Sequence, residues 1–222
     1  MISVHNCNYH KYASYTELSK RAPPDHFLSA QSCIQTCIDD VLLWMNSNKL
    51  KLNTGKTEVM PVGSASRLES VDSECVNTGG NSVPFKTSVK YLGIHLDRTL
   101  SMQQHISSIY HASFLELRRI ASVRPYLFQS AAASLVVTMV ISRLDYCNSV
   151  FIGLPADQIV RLQWVQNNAA RLIMKKRRRD HVSPLLKELY WLPVKFRCQY
   201  KIATLAYHHF EGFLSFFLSL HL

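Results

Sequence analysis

The hydrophobic pattern of the chain changes from strand-like to helical just after Asp97, and this change limits the fold more than any single motif does. Before it, Val83–Phe85 and Val89–Leu96 are rich in β-branched and aromatic residues, as strands are. After it, apolar residues recur at helical spacing in three long segments: Ser101–Val123, Gln129–Val150 and Pro155–Lys175. We therefore predict an α+β chain with a strand-bearing part over residues 1–98 and a mostly helical part over residues 99–212.

The same patterns predict further elements on both sides of this division. The first part should contain a strand–turn–strand unit, a helix, a strand and a polar loop, in the order Tyr9–Leu18, Leu28–Asn46, Thr57–Val62 and Ser64–Asn81. The second part should contain two more helices, Pro184–Leu189 and Val194–His209. Gln129–Val150 is apolar around most of its girth, which predicts the buried central helix. The apolar tail Phe213–Leu222 does not continue the helical pattern.

The charge balance favours a polyanionic partner. The chain has 222 residues, of which 47% are hydrophobic, so it can bury a sizeable core as one large domain or two small ones. Its 25 Lys and Arg outnumber 15 Asp and Glu, which gives a formal net charge of +10. Such an excess suits nucleic acid first and an acidic membrane surface second. The alternative is a basic surface that only keeps the protein in solution.

Neither the cysteines nor the apolar runs indicate a metal centre, a secreted protein or a membrane span. The six cysteines follow no metal-ligand spacing, and the first residues lack the apolar core of a signal peptide. No run reaches the roughly 20 apolar residues that are needed to cross a bilayer. We expect reduced thiols in an intracellular protein, nuclear or cytoplasmic, that has no membrane partner.

Several short segments share the pattern of one family in order and at sensible spacing. They are Tyr12–Leu18, Trp44–Glu58, Val89–Gly93, Ser142–Asn148, Gly153–Pro155, Arg161–Leu172 and Trp191–Val194. Through them, residues 9–212 resemble the reverse transcriptases of non-LTR retrotransposons, in particular the jockey-like, chicken-repeat-like group of LINE elements. The resemblance implies the last strands of an antiparallel polymerase palm with one helix, followed by a thumb-like helical domain. Residues 213–222 lie outside it.

The segment Tyr12–Leu18 corresponds in that family to the catalytic turn. Ser14 and Tyr15 stand where the family has paired aspartates, which hold the Mg²⁺ ions that activate the primer hydroxyl. A serine hydroxyl and a phenol do not replace two hard anionic ligands. The fingers and a further metal-binding aspartate precede the position of Met1 in the family. The resemblance therefore implies a degenerate RNA-directed DNA polymerase fragment that is not an enzyme and holds no cofactor.

Three other positions have roles in the family. Lys56 corresponds to a lysine near the incoming triphosphate, where a cation assists the departure of pyrophosphate. The alternative for Lys56 is a turn residue before a strand. Tyr91 and Gly93 correspond to the strand that grips the primer, where a glycine permits close approach of the backbone to a ligand.

A run of five positive charges is predicted at the end of a helix: Lys175, Lys176, Arg177, Arg178 and Arg179. These side chains complement the helix dipole and are expected to contact phosphates, with Arg171 supporting the same face. The run also resembles a nuclear localisation signal. The alternative is a solvated helix end with no ligand.

Exposed aromatic rings stack on bases in many nucleic-acid-binding proteins. For Tyr126, Tyr190 and Trp191, however, we expect packing in the core instead.

Three interpretations stay open. The chain is a degenerate reverse transcriptase fragment that is inactive alone, or a non-catalytic module that binds nucleic acid or a protein, or an unselected translation of a decayed element. The partners that the resemblance implies are RNA, DNA or an RNA–DNA hybrid, bound without sequence specificity, and an intact element-encoded protein.

Overall fold

The computed structural model describes residues 5–13, 15–69, 71, 75–78 and 80–219, without the side chains of Pro24 and of residues 211–219. The chain divides into two compact units, Met1–Ser101 and Met102–Leu222, which we call the first and the second unit. Helices and antiparallel strands are both present, so the predicted mixture of α and β structure is confirmed.

The first unit contains two α-helices and six strands in its described part, besides two short 3-10 helices. In chain order they are β1 (Asn8–Tyr12), β2 (Tyr15–Ser19), α1 (Phe27–Ser47), α2 (Ala65–Leu68), β3 (Cys75–Thr78), β4 (Asn81–Pro84), β5 (Ser88–Tyr91) and β6 (Ile94–Asp97). The strands pair as β1–β2, β3–β4 and β5–β6, each an antiparallel two-stranded sheet. Among the described residues these pairs do not join into one larger sheet.

The hairpin β1–β2 confirms the predicted strand–turn–strand unit. Tyr12 pairs with Tyr15, so the chain reverses direction between these two residues. Ala13 has a φ of 51°, a value that two-residue hairpin turns require. Ser14 itself lies outside the described residues.

The prediction of one continuous strand over Val89–Leu96 is wrong. The chain reverses at Leu92 and Gly93, which have φ values of 45° and 86°, and Tyr91 pairs with Ile94. Positive φ at both central residues is the geometry of the two-residue turn whose twist matches paired strands, and glycine accepts it without steric strain.

Two other predictions for the first unit are corrected. In the segment predicted as the strand Thr57–Val62, pairing is limited to an isolated bridge between Val59 and Phe85. Pro61 has no N–H and so cannot extend that bridge into a ladder. The segment Ser64–Asn81, predicted as a loop, contains α2 and β3.

Helix α1 packs against β3 in a way that explains this strand. Val76 is buried, and the Gln31 side chain donates to the Cys75 carbonyl at 2.8 Å. Gln35 bonds to the backbone of Asn77 on both sides, donating to its carbonyl at 2.5 Å and accepting from its N–H at 2.9 Å. A helix side chain therefore takes the place of a neighbouring strand, which lets a polar sequence hold an extended conformation.

Within the described residues, the regular elements of the second unit are all helical: besides two short 3-10 helices, there are six α-helices and one π-helical segment. They are α3 (Gln103–Val123), α4 (Gln129–Val136), a π-helical segment (Val137–Ile141), α5 (Ser142–Asp145), α6 (Ala156–Ile173), α7 (Ser183–Glu188) and α8 (Val194–Ser219). Helices α3 and α6 pack together. The core between the helices is made of fully buried side chains, among them Ile106, Val136, Val140, Leu144, Leu162, Val165 and Ile173.

The predicted helix Gln129–Val150 is irregular in its middle and shorter than predicted. It passes through the π-helical segment and ends at Asp145. Ser134, Thr138 and Ser142 each donate a hydroxyl hydrogen bond to the carbonyl four residues earlier, an interaction that competes with regular helix geometry. Leu135 and Val137 are exposed while Val136, Val140 and Ile141 are buried. This helix therefore covers the core with one side only, and the prediction of a buried central helix is wrong.

The last helix was predicted to end at His209, but the backbone of α8 stays helical to Ser219. A glycine at position 212 costs about 1 kcal/mol in a helix, which is not enough to end one. The last part of the tail, residues 220–222, lies outside the described residues. No helix in the described part of the chain is long and apolar enough to cross a membrane.

Candidate nucleic-acid interface

The five basic residues Lys175–Arg179, which we call the basic turn, follow the C-terminal end of α6. Their side chains are all exposed. Lys175 adopts a left-handed conformation with φ 50°, its N–H bonds to the Leu172 carbonyl, and the Lys176 N–H bonds to the Arg171 carbonyl at 3.0 Å. This pair of bonds is the Schellman arrangement, which ends a helix and satisfies its last carbonyls. The basic turn therefore leaves the helix in a defined direction.

A second set of hydrogen bonds closes the turn. Arg171 donates from Nε and Nη2 to the Asp180 carbonyl, at 3.3 and 3.1 Å. The Asp180 carboxylate accepts from the Arg177 N–H at 2.7 Å, and the Asp180 N–H donates to the Arg177 carbonyl. Both ends of the basic turn are thus held by backbone-directed bonds that leave its cationic heads in solvent. Arg171, predicted to contact phosphates, is half-buried and commits two donors to this closure.

Arg124 binds the C-terminal end of α6, a role that was not predicted from the sequence. Its side chain is only 6% exposed. The guanidinium donates to the carbonyls of Leu172 at 3.0 Å, Ile173 at 2.6 Å and Leu127 at 2.8 Å. A cation at this place satisfies the last carbonyls of the helix and complements its dipole.

The segment that follows Arg124 carries two highly exposed rings. Tyr126 is 88% exposed and Phe128 is 84% exposed. Gln129, which comes next, donates to the Met174 sulfur at 3.2 Å, so this segment and the start of the basic turn share the same end of α6. The prediction that Tyr126 packs in the core is wrong. Both rings are exposed, while Leu127 between them is half-buried.

Of the other two aromatic residues predicted to pack in the core, one is exposed and the other is half-buried. Tyr190 is 96% exposed, so its predicted core packing is also wrong; it has a positive φ of 54° in the turn after α7. Trp191 is half-buried against the cluster formed by Ala170, Leu185 and Leu186, and its prediction is confirmed.

In the first unit, Glu17 on β2, two residues after Tyr15, influences Tyr91 on β5. Desolvation, followed by the interaction of its hydroxyl with the Glu17 carboxylate and by the negative charge of Glu17, raises the pKa of Tyr91. Tyr15 itself is exposed, as is Lys56, at the end of a 3-10 turn. Gly93 has a conformational role, because its φ of 86° completes the turn between β5 and β6.

Within the described residues, no group of three or more His, Cys, Asp or Glu side chains could hold a metal ion. The cysteines Cys7, Cys33 and Cys37 do come together, with 3.6 Å between the Sγ atoms of the first two. Burial raises the pKa of Cys7 to about 11, and that of Cys37 is raised mainly by burial as well. The Cys7 thiol is therefore protonated at neutral pH.

Several of the family-like segments of the second unit contact one another. Asp145, in one of these segments, forms a two-point ion pair with Arg197 of α8, which lies outside them, with Nε donating to Oδ1 at 2.8 Å and Nη2 donating to Oδ2. Gln166, fully buried, donates to the Leu192 carbonyl at 2.8 Å, and Gln163 accepts from the Val194 N–H at 2.8 Å. The polar residues in these segments thus stabilise the packing of α6 and α8.

The arrangement at the end of α6 can bind anions. Its five free cationic heads stand on a closed backbone turn, and each head that neutralises a phosphate releases counterions. The adjacent rings of Tyr126 and Phe128 offer flat apolar surfaces beside this charge. When the chain is compared with protein-family models, with curated proteins and with solved structures, no match is found.

Proposed function

We propose that the chain is a non-catalytic relative of non-LTR retrotransposon reverse transcriptases whose second unit binds RNA, DNA or an RNA–DNA hybrid without sequence specificity. The ancestry rests on the order of the family-like segments along residues 9–212. The absence of polymerase activity rests on Ser14 and Tyr15, which replace the paired aspartates of the family. In this proposal the first unit is a palm remnant and the second unit is thumb-like.

The observation that carries the binding function is the basic turn. Among the described residues, none of its five side chains forms an ion pair. The nearest acid along the chain, Asp180, uses its carboxylate on the Arg177 N–H. The positive charge of the turn is therefore not cancelled locally, and a polyanion can approach it.

The construction of the turn also favours binding over mere solvation. Arg124 and Arg171 bind backbone carbonyls and so hold the turn in place before a ligand arrives. A backbone that is already ordered loses less entropy on binding. The contact requires only phosphates, which explains why we expect no sequence preference.

Binding is tested with a fluorescently labelled RNA–DNA hybrid titrated at low salt. In one variant the five residues of the basic turn become alanine. The control variant loses the same charge at exposed positions elsewhere, through alanine at Arg21, Lys51, Lys90, Lys195 and Lys201. We expect the basic-turn variant to lose about tenfold or more in affinity and the control to lose only a few-fold. Equal losses in the two variants would overturn the proposal.

The non-catalytic part of the proposal has its own test. The purified chain is incubated with a primed RNA template, all four deoxynucleotides and either Mg²⁺ or Mn²⁺. We expect no extension above a protein-free blank, because Ser14 and Tyr15 cannot serve as the paired anionic ligands. Primer extension that grows with protein concentration would refute it.

A further inference from the structure

Tyr126 and Phe128 are exposed to an extent that core packing and helix folding do not explain. Large aromatic rings contribute most when they are removed from water, yet these two are 88% and 84% exposed. The backbone that presents them is ordered. Tyr126 ends a 3-10 turn with Pro125, and the Phe128 carbonyl accepts the Ala132 N–H at 3.0 Å to begin α4. The rings are therefore held in solvent by regular structure.

A single buried guanidinium connects these rings to the basic turn. Arg124 binds the carbonyl of Leu127, which lies between the two rings, and also the carbonyls of Leu172 and Ile173, which lie just before the basic turn. The bond from Gln129 to Met174 ties the two segments together a second time. Flat apolar rings and a row of cations thus stand side by side at one end of α6.

We infer that Tyr126 and Phe128 stack on unpaired bases of a single-stranded nucleic acid whose phosphates lie on the basic turn. This inference rests on the proposed function, and it adds the strand state of the ligand and the residues that select it. Every base has an apolar face, so stacking on aromatic rings tolerates any sequence. In a duplex the faces of the bases are already covered by their neighbours, and the same rings then have no surface to stack on.

Neither the cations nor the aromatic rings alone would select a single strand. The cations alone would accept a duplex and a single strand alike, because each presents phosphates. The rings alone would accept an apolar partner of another kind, but their position beside uncancelled positive charge favours a polyanion. A single strand is the polyanion that also exposes flat apolar faces.

The test compares two labelled probes, oligouridine and a duplex RNA of equal length, binding to the full chain. The stacking variant carries Tyr126→Ala and Phe128→Ala. Its control carries Tyr200→Ala and Phe210→Ala, two exposed aromatic residues of α8. We expect the stacking variant to bind oligouridine about tenfold or more weakly and the duplex almost unchanged. The control should bind both probes as the unchanged protein does.

A second variant separates stacking from general apolar contact. Tyr126→Trp with Phe128→Trp keeps aromatic faces, and it should retain oligouridine binding and show quenching of tryptophan fluorescence on binding. Unchanged oligouridine affinity in the alanine variant, or an equal loss for both probes, would overturn the inference. The alanine variant of the basic turn distinguishes the two proposals: if it weakens both probes while the stacking variant weakens neither, the proposed function stands and the inference fails. If the basic-turn variant weakens neither probe, the proposed function itself fails.

Discussion

Arg171 donates two hydrogen bonds from its guanidinium to the backbone carbonyl of Asp180 and thereby closes the basic turn against the last turn of α6. An arginine from the helix thus organises the charged residues that follow it. This relationship separates the basic residues at this site into two kinds. Arg171 and Arg124 bind carbonyls of the protein, whereas the five side chains of the basic turn are exposed to solvent.

Removing the closure should expose the basic turn to proteolysis. We expect Arg171→Met to increase the rate of trypsin cleavage between residues 175 and 179, since local opening limits cleavage of an otherwise ordered segment. The rate is measured by mass spectrometry of peptides from brief digestion. Arg118→Met, at an exposed arginine of α3, is the control and should leave this rate unchanged. Equal rates in Arg171→Met and the unchanged protein would show that the two bonds do not hold the turn.

Replacing Lys175 by glycine should make the C-terminal end of α6 more stable. It has a φ of 50°, a conformation that costs a side-chain-bearing residue about 1 kcal/mol. We expect Lys175→Gly to stabilise the second unit by about 0.5–1 kcal/mol, although it removes one cation of the basic turn. Lys175→Ala removes the same charge and keeps the strain, so it is the matched control. The difference between the two variants in urea unfolding measures the conformational term, and a less stable glycine variant would contradict the Schellman geometry.

Loss of the Arg124 guanidinium should destabilise the second unit severely. Arg124→Met leaves the carbonyls of Leu127, Leu172 and Ile173 without this donor. We expect a loss of about 3 kcal/mol in the free energy of unfolding, because hydrogen bonds to charged groups contribute about 1.5–3 kcal/mol each and the effects overlap. Arg124→Lys keeps the charge but not the planar set of donors. Its free energy of unfolding should therefore lie between those of the unchanged protein and Arg124→Met. A loss below about 1 kcal/mol for Arg124→Met would refute this role.

The stability of the first unit should fall between about pH 9 and pH 11. Burial raises the pKa of Cys7 to about 11 from its ordinary value of 9.0, so the folded state keeps a proton that the unfolded state releases. The stabilisation from this thiol is complete below pH 9 and is lost as the pH rises through 11. Urea unfolding at a series of pH values measures it, with Cys7→Ala as the control. The control should show a weaker pH dependence in this window, and identical curves would contradict the assignment to Cys7.

The sequence predicts the elements that have a one-sided apolar stripe or a recognisable turn. Helix α1 begins and ends within a residue of the predicted Leu28–Asn46, and the hairpin around Ala13 was anticipated. The turn at Leu92 was not, because strand-like alternation continues across it and a leucine with positive φ gives no sequence signal. The π-helical segment of the second long helix is not predicted either, because the hydroxyl groups that bond back to the helix carbonyls there give no distinct sequence signal.

At the candidate interface the sequence predicts the exposed charges but not the residues that hold the basic turn in place. A run of five cations can be read directly from the sequence. Arg124, in contrast, binds carbonyls that lie 48 and 49 residues away along the chain. Tyr126 illustrates the opposite error, since aromatic residues are expected in cores and only the path of the backbone shows this ring in solvent. Interactions between distant parts of the chain are what local patterns do not encode.

The salt dependence of binding tests the central claim most directly. The affinity for oligouridine is measured at several salt concentrations for the unchanged protein and for the variant with alanine at residues 175–179. Each phosphate contact on a single strand contributes a slope of about −0.7 in log affinity against log salt concentration. We predict that the slope of the variant is shallower by about 3, as expected when four or five contacts are lost. The same slope for both proteins would contradict the account, because the basic turn would then contact no phosphate.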